Sequence, residues 1–191
     1  MPGHQAGPSL EGFEILERAA QWLGLYIKMM KQKTPSLPIF VLSRSSSSVL
    51  VGAVNKLYPE LDGVVFMSPT LPGDQKLVQE GSAEVKQLAR EGVFTLNEEG
   101  LNWIDRLLMQ ATWSKEYFGT LKLMISTGSK DRQIVKQERD AYRSFAEGVD
   151  SITYFEFEGA DHNVLNTDGA YRSVFDFIYR ILFSKKAQNI K

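Results

Sequence analysis

Four short apolar runs, Ile39–Leu42, Val64–Met67, Leu121–Ser126 and Ile152–Phe157, constrain this chain more than any other feature, because turn residues and then a stretch at helical spacing follow each one. The runs have strand length and are rich in β-branched and aromatic residues. The first two lack polar alternation and predict strands buried on both faces. Strands that alternate with helices predict an α/β fold with a mostly parallel sheet and helices on both of its faces.

The helical stretches can be placed from apolar spacing. Phe13, Leu16, Ala20, Leu23, Ile27 and Met30 recur at three- and four-residue steps and predict a helix from about Glu11 to Gln32, which Pro35 and Pro38 stop. Within it, Met29 and Met30 read as core residues rather than a binding surface. Val49–Leu57 and about Val135–Ala146 predict two more helices. The last helix carries Tyr171, Val174, Phe175, Ile178 and Leu182 on one side, ahead of a frayed basic tail, SKKAQNIK. From Gly73 to about Tyr117 the pattern is helical, broken by Gly81, Gly92 and Gly100. The 191 residues therefore predict one domain, with 73–117 as a small helical cap.

Charge and residue usage exclude several functions. Lys and Arg number 22 against 23 Asp and Glu, so no broad basic surface exists to hold nucleic acid. There are no cysteines, which removes thiolate metal sites, disulfides and cysteine nucleophiles; no metal or cofactor is expected. No run of about 18 apolar residues is present, so no stable membrane insertion is expected. The first residues, MPGHQAGPSLEGF, have no signal-peptide pattern, and a soluble, cytoplasmic protein follows as the expectation.

The chemistry-bearing residues stand just after strands. A serine hydroxyl needs an imidazole to take its proton and a carboxylate to orient that imidazole. His4 and His162 are the two imidazoles, and only His162 follows a strand late in the chain. Parallel strands bring the loops at their carboxyl ends to one edge of the sheet. Ser45, Asp131 and His162 fall in such loops and are the candidate nucleophile, acid and base. Ser45 sits in Leu42-Ser43-Arg44-Ser45-Ser46-Ser47, between strand and helix, and the Ser46 backbone N–H is the candidate oxyanion donor. Each residue also has a plainer role: a serine-rich helix cap, an Asx turn at Asp131, and a polar loop at His162. Asp161 competes for the acid role, although a residue adjacent to the histidine generally points elsewhere.

Taken together these segments resemble the α/β-hydrolase superfamily, specifically its monoacylglycerol-lipase and serine-aminopeptidase-like branch. Pro2-Gly3-His4 resembles the loop after the family's fourth strand, and Ile39–Ser47 its strand and nucleophile elbow, with Ser in place of both elbow glycines. Val64–Pro69 resembles the next strand, Gly128-Ser129-Lys130-Asp131-Arg132-Gln133-Ile134-Val135 the turn with the acid, and Gly159-Ala160-Asp161-His162 the turn with the base. The resemblance implies a serine hydrolase of carboxylic esters, of the carboxylesterase or lysophospholipase and monoacylglycerol-lipase kind, acting on a small-molecule or lipid-like ester through an acyl-enzyme. It implies that His4 shapes a loop near the site and that Arg44, where a histidine is common, is a structural or rim residue. Trp103, Trp113, Tyr117 and Phe118 read as lid packing or as an acyl pocket.

The family's first four strands and its oxyanion loop have no counterpart here. That leaves Ile39–Leu42 with an open edge, suited to pairing with a second copy. The chain is then a truncated product, a half completed by another polypeptide, or a remnant that binds rather than catalyses.

Overall fold

The segment that follows Pro38 emerges as a strand because its β-branched and aromatic residues find a partner in the next apolar run. In a computed structural model, which describes residues 10–45, 47–48, 50–52, 61–69, 121–134 and 136–188 together with 83 and 87, β1 (Phe40–Arg44) and β2 (Gly63–Met67) lie parallel and in register. β3 (Lys122–Gly128) adds beside β2, and β4 (Ile152–Phe157) beside β3, both parallel. The order β1-β2-β3-β4 is the order of the chain. The α/β class with a parallel sheet is thus borne out.

Helices close both faces. α1 (Leu10–Lys33) and α2 (Lys136–Ala146) cover one, where Ala20, Ile27, Tyr142 and Phe145 pack with Val64, Phe66, Leu123 and Ile125. α3 (Ala170–Gln188) covers the other, where Val174 packs with Val65, Met67 and Met124. The two-residue period of a strand explains the division: odd and even residues of β2 serve different helices. Every residue of β2 is buried. Residues 47–48 and 50–52 are helical, the latter within the helix expected over Val49–Leu57.

Local polar ties set the ends of these elements. Lys31 Nζ pairs with Asp62 Oδ2 at 2.8 Å, and the same oxygen accepts the Ile39 N–H at 2.7 Å, so the end of α1 and the starts of β1 and β2 meet at one carboxylate. The Tyr142 hydroxyl donates to the Pro69 carbonyl at 3.0 Å and anchors α2 near the end of β2; burial raises the pKa of that phenol. Arg139 and Arg143 both reach Glu156, holding α2 on β4.

Four sequence expectations are corrected. β1 is not buried on both faces, with Leu42 48% exposed and only Ser43 buried, while its place at the sheet edge among the described residues agrees with the open edge that the resemblance implies. Met29 is 40% exposed, on an outer face of α1 with Trp22, Leu25 and Tyr26. In α3 the inward line is Ala170, Val174 and Ile181, with Phe177 and Ile178 beside it. Tyr171 and Phe175 sit one position further round, about 100° away, and face solvent. The tail expected to fray continues α3 to Gln188. Residues 73–117, expected as the cap, lie outside the described residues apart from helical Ala83 and Gln87. So do His4, Trp103, Trp113, Tyr117 and Phe118. No described helix is long and apolar enough to cross a membrane.

Candidate active site

A parallel sheet gathers its strand ends, and here three of those ends carry the candidate residues. Ser45 directly follows β1, Asp131 stands three residues beyond β3, and His162 five residues beyond β4. The register continues past β1, since the Ser45 N–H donates to the Met67 carbonyl at 3.0 Å. The chain then turns sharply, with Ser45 at φ 53°, a left-handed conformation that few non-glycine residues adopt.

The serines around Ser45 satisfy the backbone of this turn. Ser47 Oγ accepts the Arg44 N–H at 2.9 Å and donates to the Arg44 carbonyl at 2.6 Å. The Ser48 N–H and hydroxyl both donate to the Ser45 carbonyl, at 2.9 and 2.6 Å. These side chains tie the start of the helix back to the end of β1 and to Ser45. Ser46, whose N–H is the candidate oxyanion donor, lies outside the described residues.

A left-handed backbone costs a residue with a Cβ roughly 1–2 kcal/mol. Glycine removes that cost and gives back about 0.5–1 kcal/mol through its freer unfolded chain. Ser45→Gly is accordingly expected to stabilise the protein by about 0.5–1 kcal/mol in urea denaturation. An unchanged or lower midpoint contradicts strain at Ser45. The neighbouring strand ends similarly in Ser68 at φ 44°, buried and with no hydrogen-bond partner for its hydroxyl among the described residues. The sequence carried no sign of that second left-handed serine beyond its Ser-Pro pair.

Asp131 and His162 meet directly. His162 Nδ1 lies 2.9 Å from Asp131 Oδ2, with the carboxylate fully buried and the imidazole 17% exposed. An ionised carboxylate only accepts, so Nδ1 carries the hydrogen and Nε2 keeps a lone pair. Asp131 Oδ1 accepts the N–H groups of Gln133 and Ile134, at 2.8 and 3.1 Å. The Asx turn therefore orients the carboxylate rather than competing with the histidine. Asp161, the other acid considered, is exposed and accepts the Asn163 N–H at 2.7 Å.

The acid and base turns are laced together. Ser129 N–H donates to the Phe157 carbonyl and Lys130 N–H to the Ala160 carbonyl, while Gly159 N–H donates to Ser129 Oγ at 2.8 Å. Gly159 is left-handed at φ 74°, which the base turn requires. Ser45 is the member not joined: its hydroxyl makes no hydrogen bond to His162. The two loops nevertheless touch through the residue before Ser45 and the residue after His162, where Arg44 Nη1 donates to Asn163 Oδ1 at 2.8 Å. Asn163 was not legible as a functional position, because nothing local ties it to a residue 119 positions away. Among the described residues no group of His, Asp and Glu has the arrangement of a metal site.

No protein-family model matches the sequence, and no curated protein sequence matches it. Solved structures do match. A monoacylglycerol lipase from Paleococcus ferrophilus superposes with a TM-score of 0.54 at 14% identity, over 87% of this chain and 74% of that one. A non-heme bromoperoxidase, BpoC, from Mycobacterium tuberculosis gives 0.54 at 14%, over 85% of this chain and 74% of that one. A carboxylesterase structure from the thaumarchaeon Nitrososphaera gargenis gives 0.51 at 11%, over 86% and 73%. Likeness at such low identity speaks for architecture, and with the parallel sheet and its strand-end turns it shows that this chain has the α/β-hydrolase fold.

Proposed function

We propose that the protein is a serine hydrolase of carboxylic esters, with Ser45 as nucleophile, His162 as general base and acid, and Asp131 as the residue that orients the imidazole. The observation that carries this reading is the 2.9 Å contact of His162 Nδ1 with a buried carboxylate whose other oxygen is held by two backbone N–H groups. That arrangement selects the tautomer a base needs. The left-handed turn at Ser45 supports it, since a strained strand-to-helix turn presents a hydroxyl at the edge of the sheet.

In this mechanism His162 Nε2 takes the Ser45 proton as Oγ attacks the acyl carbon. The Ser46 N–H is the proposed donor to the tetrahedral oxyanion. The imidazolium returns the proton to the leaving alcohol, and water, activated by the same nitrogen, releases the acid from the acyl-enzyme. Small-molecule esters are the proposed substrates, by analogy with the esterase and lipase of similar fold. Residues 73–117 are the proposed cap over them.

A second reading, a non-catalytic binding protein, draws support from the missing Ser45–His162 hydrogen bond. Catalytic hydrogen bonds are often long without substrate and tighten in the complex, so the hydrolase reading ranks first. Purified protein is expected to be labelled by a fluorophosphonate probe, with mass mapping to Ser45 and loss of labelling in Ser45→Ala and His162→Ala. A folded protein that takes up no probe overturns the hydrolase reading and favours the binding protein.

A further inference from the structure

We infer that Arg44 and Asn163 form a positioning pair that sets the base loop against the nucleophile turn; the inference rests on the hydrolase reading above. Each residue is the immediate chain neighbour of a proposed catalytic residue, Arg44 before Ser45 and Asn163 after His162. Their side chains are joined at 2.8 Å across the mouth of the site. Among the described residues the His162 ring is held by Asp131 at Nδ1 alone, which fixes its tautomer but leaves the direction of Nε2 to the loop that carries it.

Both ends of the pair are prepared for this use. The Arg44 backbone is clamped by Ser47, which bonds to its N–H and its carbonyl, so the guanidinium starts from a fixed point. Asn163 occupies the cap position of the 3₁₀ turn Val164–Asn166, where an asparagine side chain ordinarily bonds to the turn's backbone. It makes no such bond, and its carbonyl oxygen accepts from Arg44 instead. Its own N–H is taken by Asp161, which stiffens the loop between His162 and the turn. Arg44 has no carboxylate partner among the described residues, so this amide is the group that orients it.

The test compares Asn163→Leu, Arg44→Met, the double variant and Asn163→Asp, which keeps an acceptor for the guanidinium. Two readouts are taken: the rate of fluorophosphonate labelling, and hydrogen exchange of the His162 imidazole N–H in protein labelled with 15N-histidine. A misplacement of about 1 Å costs roughly 10²-fold in rate, and a loss of that order is expected for each single variant. The double variant is expected to lose no more than either single one, because both break the same contact. Asn163→Asp is expected to keep the wild-type rate and the slow imidazole exchange, whereas Asn163→Leu and Arg44→Met speed exchange. Labelling or exchange unchanged in both single variants overturns the inference. If the wild-type protein takes up no probe, the hydrolase reading fails on its own, and imidazole exchange in the variants still decides whether the pair holds His162.

Discussion

Asp131→Asn is expected to lower ester hydrolysis by about 10⁴-fold while leaving the protein folded. The reason lies in how the carboxylate is held. Oδ1 accepts two backbone N–H groups, from Gln133 and Ile134, and Oδ2 faces His162 Nδ1. An asparagine at this position keeps its oxygen on the two N–H donors, because the reverse orientation sets donor against donor. Its amide nitrogen then faces His162 and donates to Nδ1. The hydrogen of the imidazole moves to Nε2, which loses the lone pair proposed to accept the Ser45 proton. Single-turnover kinetics on an activated ester, with a urea denaturation curve, test this. A variant that stays within about tenfold of the wild-type rate excludes Asp131 as the orienting acid.

Gly128→Ala is expected to destabilise the protein by about 3 kcal/mol, at the upper end for overpacking. A Cβ at this position meets the Ala160 carbonyl oxygen at 2.3 Å, the Asp161 carbonyl oxygen at 2.5 Å and the Ala160 carbonyl carbon at 2.7 Å. All three are backbone atoms and cannot swing aside as a side chain does. Gly128 closes β3, and the residues it touches lead into His162, so relief of the clash pushes the base turn away from Asp131. Fluorophosphonate labelling is expected to slow together with the drop in denaturation midpoint. Wild-type stability in this variant contradicts the close approach of the two turns.

Much of the frame was legible because its signals are local. Continuous apolar runs mark β2 and β3, which have a strand on each side and helices on both faces, and their burial follows. The same kind of run misled about burial at β1, since Ile39–Leu42 reads as covered on both faces even where the resemblance leaves its edge open; burial at an edge depends on what lies beside it. α3 misled for a related reason. Its aromatic residues surround much of the helix, and only the sheet decides that Val174 and Ile181 turn inward while Phe175 does not.

Within the site, Asp131 and His162 were readable as turn residues after strands, and the distance between them agrees with that placement. The left-handed backbone of Ser45 was less legible, because serines occupy the positions where glycines usually announce such a turn. The Arg44–Asn163 contact was invisible, since its two halves come together only when β1 and the loop after β4 reach the same edge.

Strand order that follows chain order has a consequence for synthesis. Chains emerge from the ribosome amino end first, and each strand of this sheet docks on the outer side of the one before it. A nascent chain that has reached Phe157 holds the serine turn and the aspartate but has no imidazole between them. The proposed reaction therefore stays silent until β4 and the loop after it are in place. The serine hydroxyl meets its proposed base only once the loop after β4 is in place.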